Sequence, residues 1–288
     1  MTRSQLAAAI KANQSFLCVG LDTDMDKLPA HLPKTAEGVL AFNKAIIDAT
    51  LPYCVAYKIN SAFFEAMGAQ GWQVMKQTFD YIPATHLKIA DAKRGDIGNT
   101  SHQYARAFFE VLGADAVTVA PYMGEDSVRP FLEYPGKWTI VLGLTSNPGS
   151  QQFQRLKLAP AADELLLVPN VVGAQRSELL YERVLQQVAE WGSPDNLMFV
   201  VGATQAAELG HIRTILPQHF LLVPGVGAQG GSLQQVAQYG LNAQGGLLVN
   251  ASRAIIYAHS GEQFARQAAL IAQQYQQEMQ GYLLADKD

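Results

Sequence analysis

Residues Asp91-Ala92-Lys93-Arg94-Gly95-Asp96 concentrate charge in the chain: four of the six positions are ionisable, directly after the mainly apolar run Leu87-Lys88-Ile89-Ala90. In an extended chain, side chains alternate between faces, so Asp91 and Lys93 share one face and Ala92 takes the other. Gly95 lets the backbone turn, which sets Asp96 just past the strand end. An ammonium beside a carboxylate can place fixed charge against a reacting group, and the ammonium can also supply a proton. A second ammonium is offered by Tyr57-Lys58-Ile59-Asn60, where Lys58 and Asn60 share a face at the end of an earlier apolar run. A solvated loop or a set of structural ion pairs would use the same residue types. Burying such groups is costly, so a fold that needed only stability would do better with apolar side chains.

The second constellation is Val223-Pro224-Gly225-Val226-Gly227-Ala228-Gln229-Gly230-Gly231-Ser232. Glycines permit positive φ and let backbone N–H groups converge on an anion, and a following helix N-terminus adds a favourable dipole. Arg253 follows the next apolar run and can present a planar, permanently charged fork to phosphate oxygens. A glycine loop with no ligand is the competing account.

The elements that must position these groups are legible as a regular alternation. Short β-rich runs occur at Phe16–Leu21, Cys54–Ile59, His86–Ala90, Ala116–Ala120, Thr139–Leu144, Leu197–Val201, Phe220–Val223 and Leu247–Val249. Between them lie helical patterns such as Val39, Phe42, Ile46 and Leu180, Val184, Val188, and Ser232 with Gln235 forms a capping box for another. Buried strands alternating with helices imply parallel pairing and right-handed crossovers. Eight units predict an α/β protein built as a single (β/α)8 TIM barrel over residues 1–288, with an insertion of roughly 145–196 between strands 5 and 6. The alternative, a doubly wound open sheet, lacks its usual signal, because no GxGxxG follows the first strand. In a barrel the C-terminal strand ends carry the chemistry; here those are Asp22, Lys58 with Asn60, Asp91 with Lys93, Ser146 and Arg253.

Composition narrows the partners. With 49% hydrophobic and 16% charged residues the chain is rich in core-forming side chains, as strands buried on both faces require. A net charge of −4 supplies no basic stripe for nucleic acid. Cys18 and Cys54, the two cysteines, sit in apolar runs and are expected as buried thiols rather than a disulfide or metal site. No window approaches the eighteen or so apolar residues of a membrane span, so a soluble, cytoplasmic protein is expected.

The run Asp91-Ala92-Lys93-Arg94-Gly95-Asp96-Ile97, together with Tyr57-Lys58-Ile59-Asn60, Pro224-Gly-Val-Gly-Ala-Gln229 and Arg253, resembles the orotidine 5′-phosphate decarboxylase family. The matches run in order from Asp22 to Arg253, and the long segment after strand 5 is similar to the longer bacterial branch of that family. The resemblance implies conversion of orotidine 5′-monophosphate to UMP and carbon dioxide, the last step of de novo pyrimidine nucleotide synthesis, with neither metal nor organic cofactor. It implies that Lys93 protonates the pyrimidine carbon left by the carboxylate, with Asp91 beside that carboxylate and Lys58 completing the charge array. It further implies a homodimer in which Asp96 and Thr100 cross the interface. Asp22 and Lys58 would contact ribose, Ser146 the pyrimidine, and Gln229 with Arg253 the phosphate; Asn60 and Pro224 complete the substrate contacts. One departure is that Ser252 precedes Arg253 where other branches have glycine. Two rivals are a Mg²⁺-dependent sugar-phosphate enzyme of the same barrel superfamily, which would need a further carboxylate where this chain has Lys58, and a non-catalytic phosphate-binding protein, which has no need of Lys58, Asp91 and Lys93.

Overall fold

The computed structural model describes residues 1–159, 177–227 and 230–285. Eight parallel strands close into a barrel in sequence order: β1 (Leu17–Gly20), β2 (Ala56–Asn60), β3 (Leu87–Arg94), β4 (Ala116–Val119), β5 (Trp138–Leu144), β6 (Leu197–Val201), β7 (Phe220–Pro224) and β8 (Leu247–Ala251). The ring shuts where β1 pairs with β8 through Leu17↔Val249, Cys18↔Asn250 and Val19↔Ala251. Helices α1 (Arg3–Asn13), α2 (Ala36–Thr50), α3 (Ser61–Glu65), α4 (Gly68–Tyr81), α5 (Gly98–Arg106), α6 (Glu125–Leu132), α7 (Leu180–Ala189), α8 (Ala206–Ile215), α9 (Leu233–Gly240), α10 (Arg253–Ile256) and α11 (Phe264–Ala285) surround or precede the strands.

All residues of β1, β4, β6 and β8 are buried, which is why these strands read as continuous apolar runs instead of alternating ones. The helices show one apolar stripe each: α2 buries Val39, Phe42, Ile46 and Ile47 against the barrel and is capped where Thr35 Oγ1 accepts the Gly38 N–H at 3.3 Å. At α9 the Ser232 hydroxyl accepts the Gln235 N–H at 3.3 Å, the N-cap half of the expected capping box, without the reciprocal bond among the described residues. Cys18 and Cys54 are buried and unpaired thiols. No helix among the described residues is long and apolar enough to cross a membrane.

Two features differ from the sequence pattern. β3 continues four residues beyond its apolar run, so the charges of Asp91–Arg94 lie inside a strand rather than after one. The 22-residue α11 escapes periodicity because small side chains, Ala268 and Ala272, make much of its buried face with Phe264 and Met279. The apolar run Leu165–Val168 inside the expected insertion lies outside the described residues.

The strand starts are tied together at the opposite end of the barrel. The half-buried Arg213 guanidinium donates to the carbonyls of Gly240, Leu216, His219 and Gly246 at 2.6–3.0 Å. Beside it His219 is buried edge-on to Phe199, and neither ring nitrogen has a partner among the described residues. Burial first, then the nearby Arg3 and Arg213 charges, pulls its pKa down from 6.5 to about 4. The unfolded chain therefore binds a proton more readily than the folded one between these values, so the stabilisation is present above pH 6.5 and lost as pH falls toward 4. Wild-type thermal stability is expected to drop across that window by about 3 kcal/mol beyond the decline seen for His219→Leu, measured by calorimetry at stepped pH.

Candidate active site

A row of alternating charge crosses the ends of the first three strands. The Lys58 ammonium, buried at the end of β2, donates to Asp22 Oδ1 at 3.1 Å and to Asp91 Oδ2 at 2.9 Å. The other oxygen of Asp91 accepts from Lys93 Nζ at 2.6 Å and from the Thr118 hydroxyl at 3.0 Å. Burial opposes the charge on Lys58, but the flanking Asp22 and Asp91 carboxylates outweigh it and its pKa rises. Burial likewise raises the Asp91 pKa, and the ammonium groups of Lys58 and Lys93 overturn that effect and hold it well below the usual carboxylate range. Mutual pairing thus favours the charged forms of Lys58 and Asp91, which lie deep within the row, while Lys93 is half exposed at its outer end.

Local backbone geometry aims these groups. Asp22 follows β1, and its loop is held where the Asp24 N–H donates to the Tyr257 hydroxyl at 2.7 Å while that hydroxyl reaches the Asp22 carbonyl at 3.4 Å. The pairing of β3 with β4 shifts register between Ala90 and Arg94, a bulge that turns Lys93 into left-handed backbone with φ +48°. The Lys93 N–H donates to Thr118 Oγ1 at 2.9 Å, so one threonine on β4 fixes both Asp91 and the lysine backbone.

The charge row forms one wall of a cavity of about 510 Å³ at the C-terminal strand ends. The opposite wall is built from Pro224, Gly225 and Val226 after β7 and from Asn250, Ser252 and Arg253 at the end of β8. Gly225 and Gly227 have φ of +96° and +71°, which L side chains rarely adopt, and the loop closes through Gly227 N–H to Gly231 carbonyl at 3.0 Å before entering α9. Arg253 is exposed at the first position of α10, with no ion pair among the described residues. Backbone curled in this way and a guanidinium next to it have the chemistry to hold an anion.

Of the residues expected from sequence, the cavity brings together Asp22, Lys58, Asp91, Lys93, Ser146, Pro224 and Arg253. Asn60, Asp96 and Thr100 are outside its lining. Asn60 instead caps α3, its Oδ1 accepting the Ala62 N–H at 3.2 Å, and Asp96 Oδ1 accepts the Ile97 N–H at 2.9 Å while Thr100 is exposed. Gln229 lies outside the described residues. Sequence reasoning missed Thr118, whose polar side chain in the apolar run Ala116–Ala120 was the available signal, and Gln154, Asn147 and Asn250, whose positions carry no pattern.

Fold and site define a (β/α)8 barrel enzyme whose one cavity carries a glycine loop beside an arginine and a dense row of charge. The model of the Orotidine 5′-phosphate decarboxylase / HUMPS family matches residues 15–268. The chain is 54% identical over 283 residues to an orotidine 5′-phosphate decarboxylase of Phocaeicola vulgatus, covering 97% of this chain and 98% of that one. It is 51% identical over 288 residues to one of Bacteroides fragilis, covering 99% of both. The solved structure of Leishmania donovani OMP decarboxylase superposes with a TM-score of 0.79 at 36% identity, covering 98% of this chain and 99% of that one. The chain belongs to the orotidine 5′-phosphate decarboxylase / HUMPS family and is a carbon–carbon lyase.

Thr118→Val removes both bonds that Thr118 makes and leaves the Lys93 N–H without its partner. Chemical denaturation is expected to show a loss of about 1–3 kcal/mol, while a change below about 0.5 kcal/mol would mean the bulge is held elsewhere.

Proposed function

We propose that this enzyme decarboxylates orotidine 5′-monophosphate to UMP and carbon dioxide, without a cofactor, in the cytoplasm. The observation that carries the reading is the unbroken sequence Asp22, Lys58, Asp91, Lys93 along one cavity wall, facing an anion site on the other.

In this reading the phosphate lies against the Gly225–Gly231 loop, Gln229 and Arg253, with Pro224 beside it. Asp22 and Lys58 hold the ribose and Ser146 meets the pyrimidine, whereas Asn60, committed to capping α3, takes no part. The bond from the ring carbon to the carboxylate breaks, carbon dioxide leaves, and the electron pair stays on the ring carbon. Lys93 gives that carbon its proton and recovers one from water. Negative charge on such a carbon is poorly delocalised, so its stabilisation must come from charge placed in advance. An ammonium about 4 Å away interacts by roughly 4 kcal/mol at an effective dielectric near 20. Lys58 also bears on the metal-dependent rival: its ammonium occupies the space between Asp22 and Asp91 where that chemistry would want a cation held by carboxylates.

A homodimer with Asp96 and Thr100 reaching the partner's site is part of the proposal. Supporting it, Ile97 is 53% exposed, Tyr122 91% and Met123 48%, and the Met123 methyl lies 3.4 Å from where a Cβ on Gly95 would be, so an exposed apolar surface adjoins the loop that carries Asp96. Residues 145–196 are proposed as an insertion of the single domain, and of its described residues Thr145, Ser146, Asn147 and Gln154 line the cavity.

The direct test is loss of ultraviolet absorbance from orotidine 5′-monophosphate on adding purified protein with EDTA present. Lys93→Ala is expected to lose turnover by at least about 10³-fold while UMP binding changes less than about ten-fold, measured by calorimetry. Unaffected turnover in that variant would remove Lys93 from the chemistry, and strict metal dependence would favour the sugar-phosphate rival.

A further inference from the structure

Arg94 follows Lys93 and does not line the cavity. Its guanidinium is instead held on the outer side of β3 by three elements. It donates to the Glu65 carboxylate at the end of α3, and to the Ala92 carbonyl at 3.4 Å. Its plane lies over the rings of Tyr104 in α5 and Phe108 just beyond it, at 5.4 and 5.3 Å from their centroids. Phe108 is fixed in turn against Trp72 of α4 at 6.3 Å, in a stretch where the helix widens to a single π turn, Ala107–Val111.

The position of this clamp matters because of what precedes it. Regular pairing of β3 with β4 breaks after Ala90 and resumes at Arg94↔Val119, reinforced where Ala120 N–H donates to the Arg94 carbonyl at 2.8 Å. Arg94 is therefore the far anchor of the bulge that holds Lys93 at φ +48°. A lysine there is unfavourable by about 1–3 kcal/mol and persists only where the surroundings over-determine it. With the far anchor free, the backbone can return to ordinary extended geometry and carry the Lys93 ammonium off Asp91.

We infer that Arg94 is a positioning residue, and that its clamp by Glu65, Tyr104 and Phe108 holds the Lys93 ammonium in its place on Asp91. The inference rests on the proposed role of Lys93. Neither Arg94 nor Glu65 reaches the cavity, so any effect on the reaction passes through the bulge. Arginine is required because one planar group must pair with a carboxylate and stack on rings together, which a lysine ammonium cannot do.

The test uses Glu65→Ala, the milder Glu65→Gln and Arg94→Lys in the full chain, each checked for folding by circular dichroism. Glu65→Ala and Arg94→Lys are expected to lower kcat by about 10- to 100-fold with KM within about two-fold, and Glu65→Gln, which keeps an acceptor, by only a few-fold. A readout independent of substrate is acetic anhydride labelling of Lys93, followed by mass spectrometry against the other surface lysines; it is expected to rise several-fold in both severe variants as the ion pair with Asp91 loosens. Unchanged kcat and unchanged labelling in a folded variant would overturn the inference, as would kcat and KM worsening together. Should Glu65→Ala not fold, Arg94→Lys decides by the same criteria. A wild-type protein inert toward orotidine 5′-monophosphate would sink the proposed function, while the labelling would still decide the clamp.

Discussion

The site depends on a buried ammonium. Lys58 is taken out of water at the end of β2, a transfer that costs several kcal/mol unless carboxylates replace the lost hydration. Two do, and they come from the loop after β1 and from β3, the strands on either side. The parallel, closed arrangement is what makes this possible, because it brings three successive strand ends to one rim. Asp91 is then shared: one oxygen serves Lys58 and the other serves Lys93 and Thr118. A carboxylate engaged on both sides has neither a free lone-pair direction to rotate into nor a reason to protonate, so the charge beyond it is set against a fixed neighbour.

The row is graded along its length. Lys58 has two carboxylate partners and no solvent, whereas Lys93 has one partner and is half exposed. The inner lysine is thereby enclosed on both sides by carboxylates, and the outer one has a face open to the cavity. It is also the one member in unfavourable backbone, so its placement draws on the surrounding structure in a way that the placement of Lys58 does not.

Much of this was legible in the sequence, for identifiable reasons. The strands are doubly buried and read as apolar runs, and Lys58, Asp91 and Lys93 break those runs with charge, which only a site or an ion network explains. Glycines that need positive φ marked the anion loop. What stayed hidden is long-range. Alternation placed Asp91 and Lys93 on one face, but the pair meets through a bulge that no local pattern announces, and Thr118 acts from another strand. Asn60 shows the converse: its strand position was readable, but the start of α3 directly after it, which takes its side chain as a cap, was not. The helix α11 shows that alanine-rich packing faces give little hydrophobic contrast.

β1 is the element that joins the two ends of the cavity. It pairs with β2, which carries Lys58, and with β8, which leads to Arg253. Gly20 at its end lies so close to β8 that a Cβ there would fall 1.9 Å from the Ser252 hydroxyl oxygen, so any larger residue would push the anion end outward. Two residues later Asp22 bonds to Lys58 at the charge end. Ser252 and Arg253 therefore adjoin a strand whose other neighbour holds the buried ammonium, and the cavity walls cannot shift independently. In a close-packed barrel, that coupling needs no hinge: the rigidity of one short, wholly buried strand transmits the position of one wall to the other.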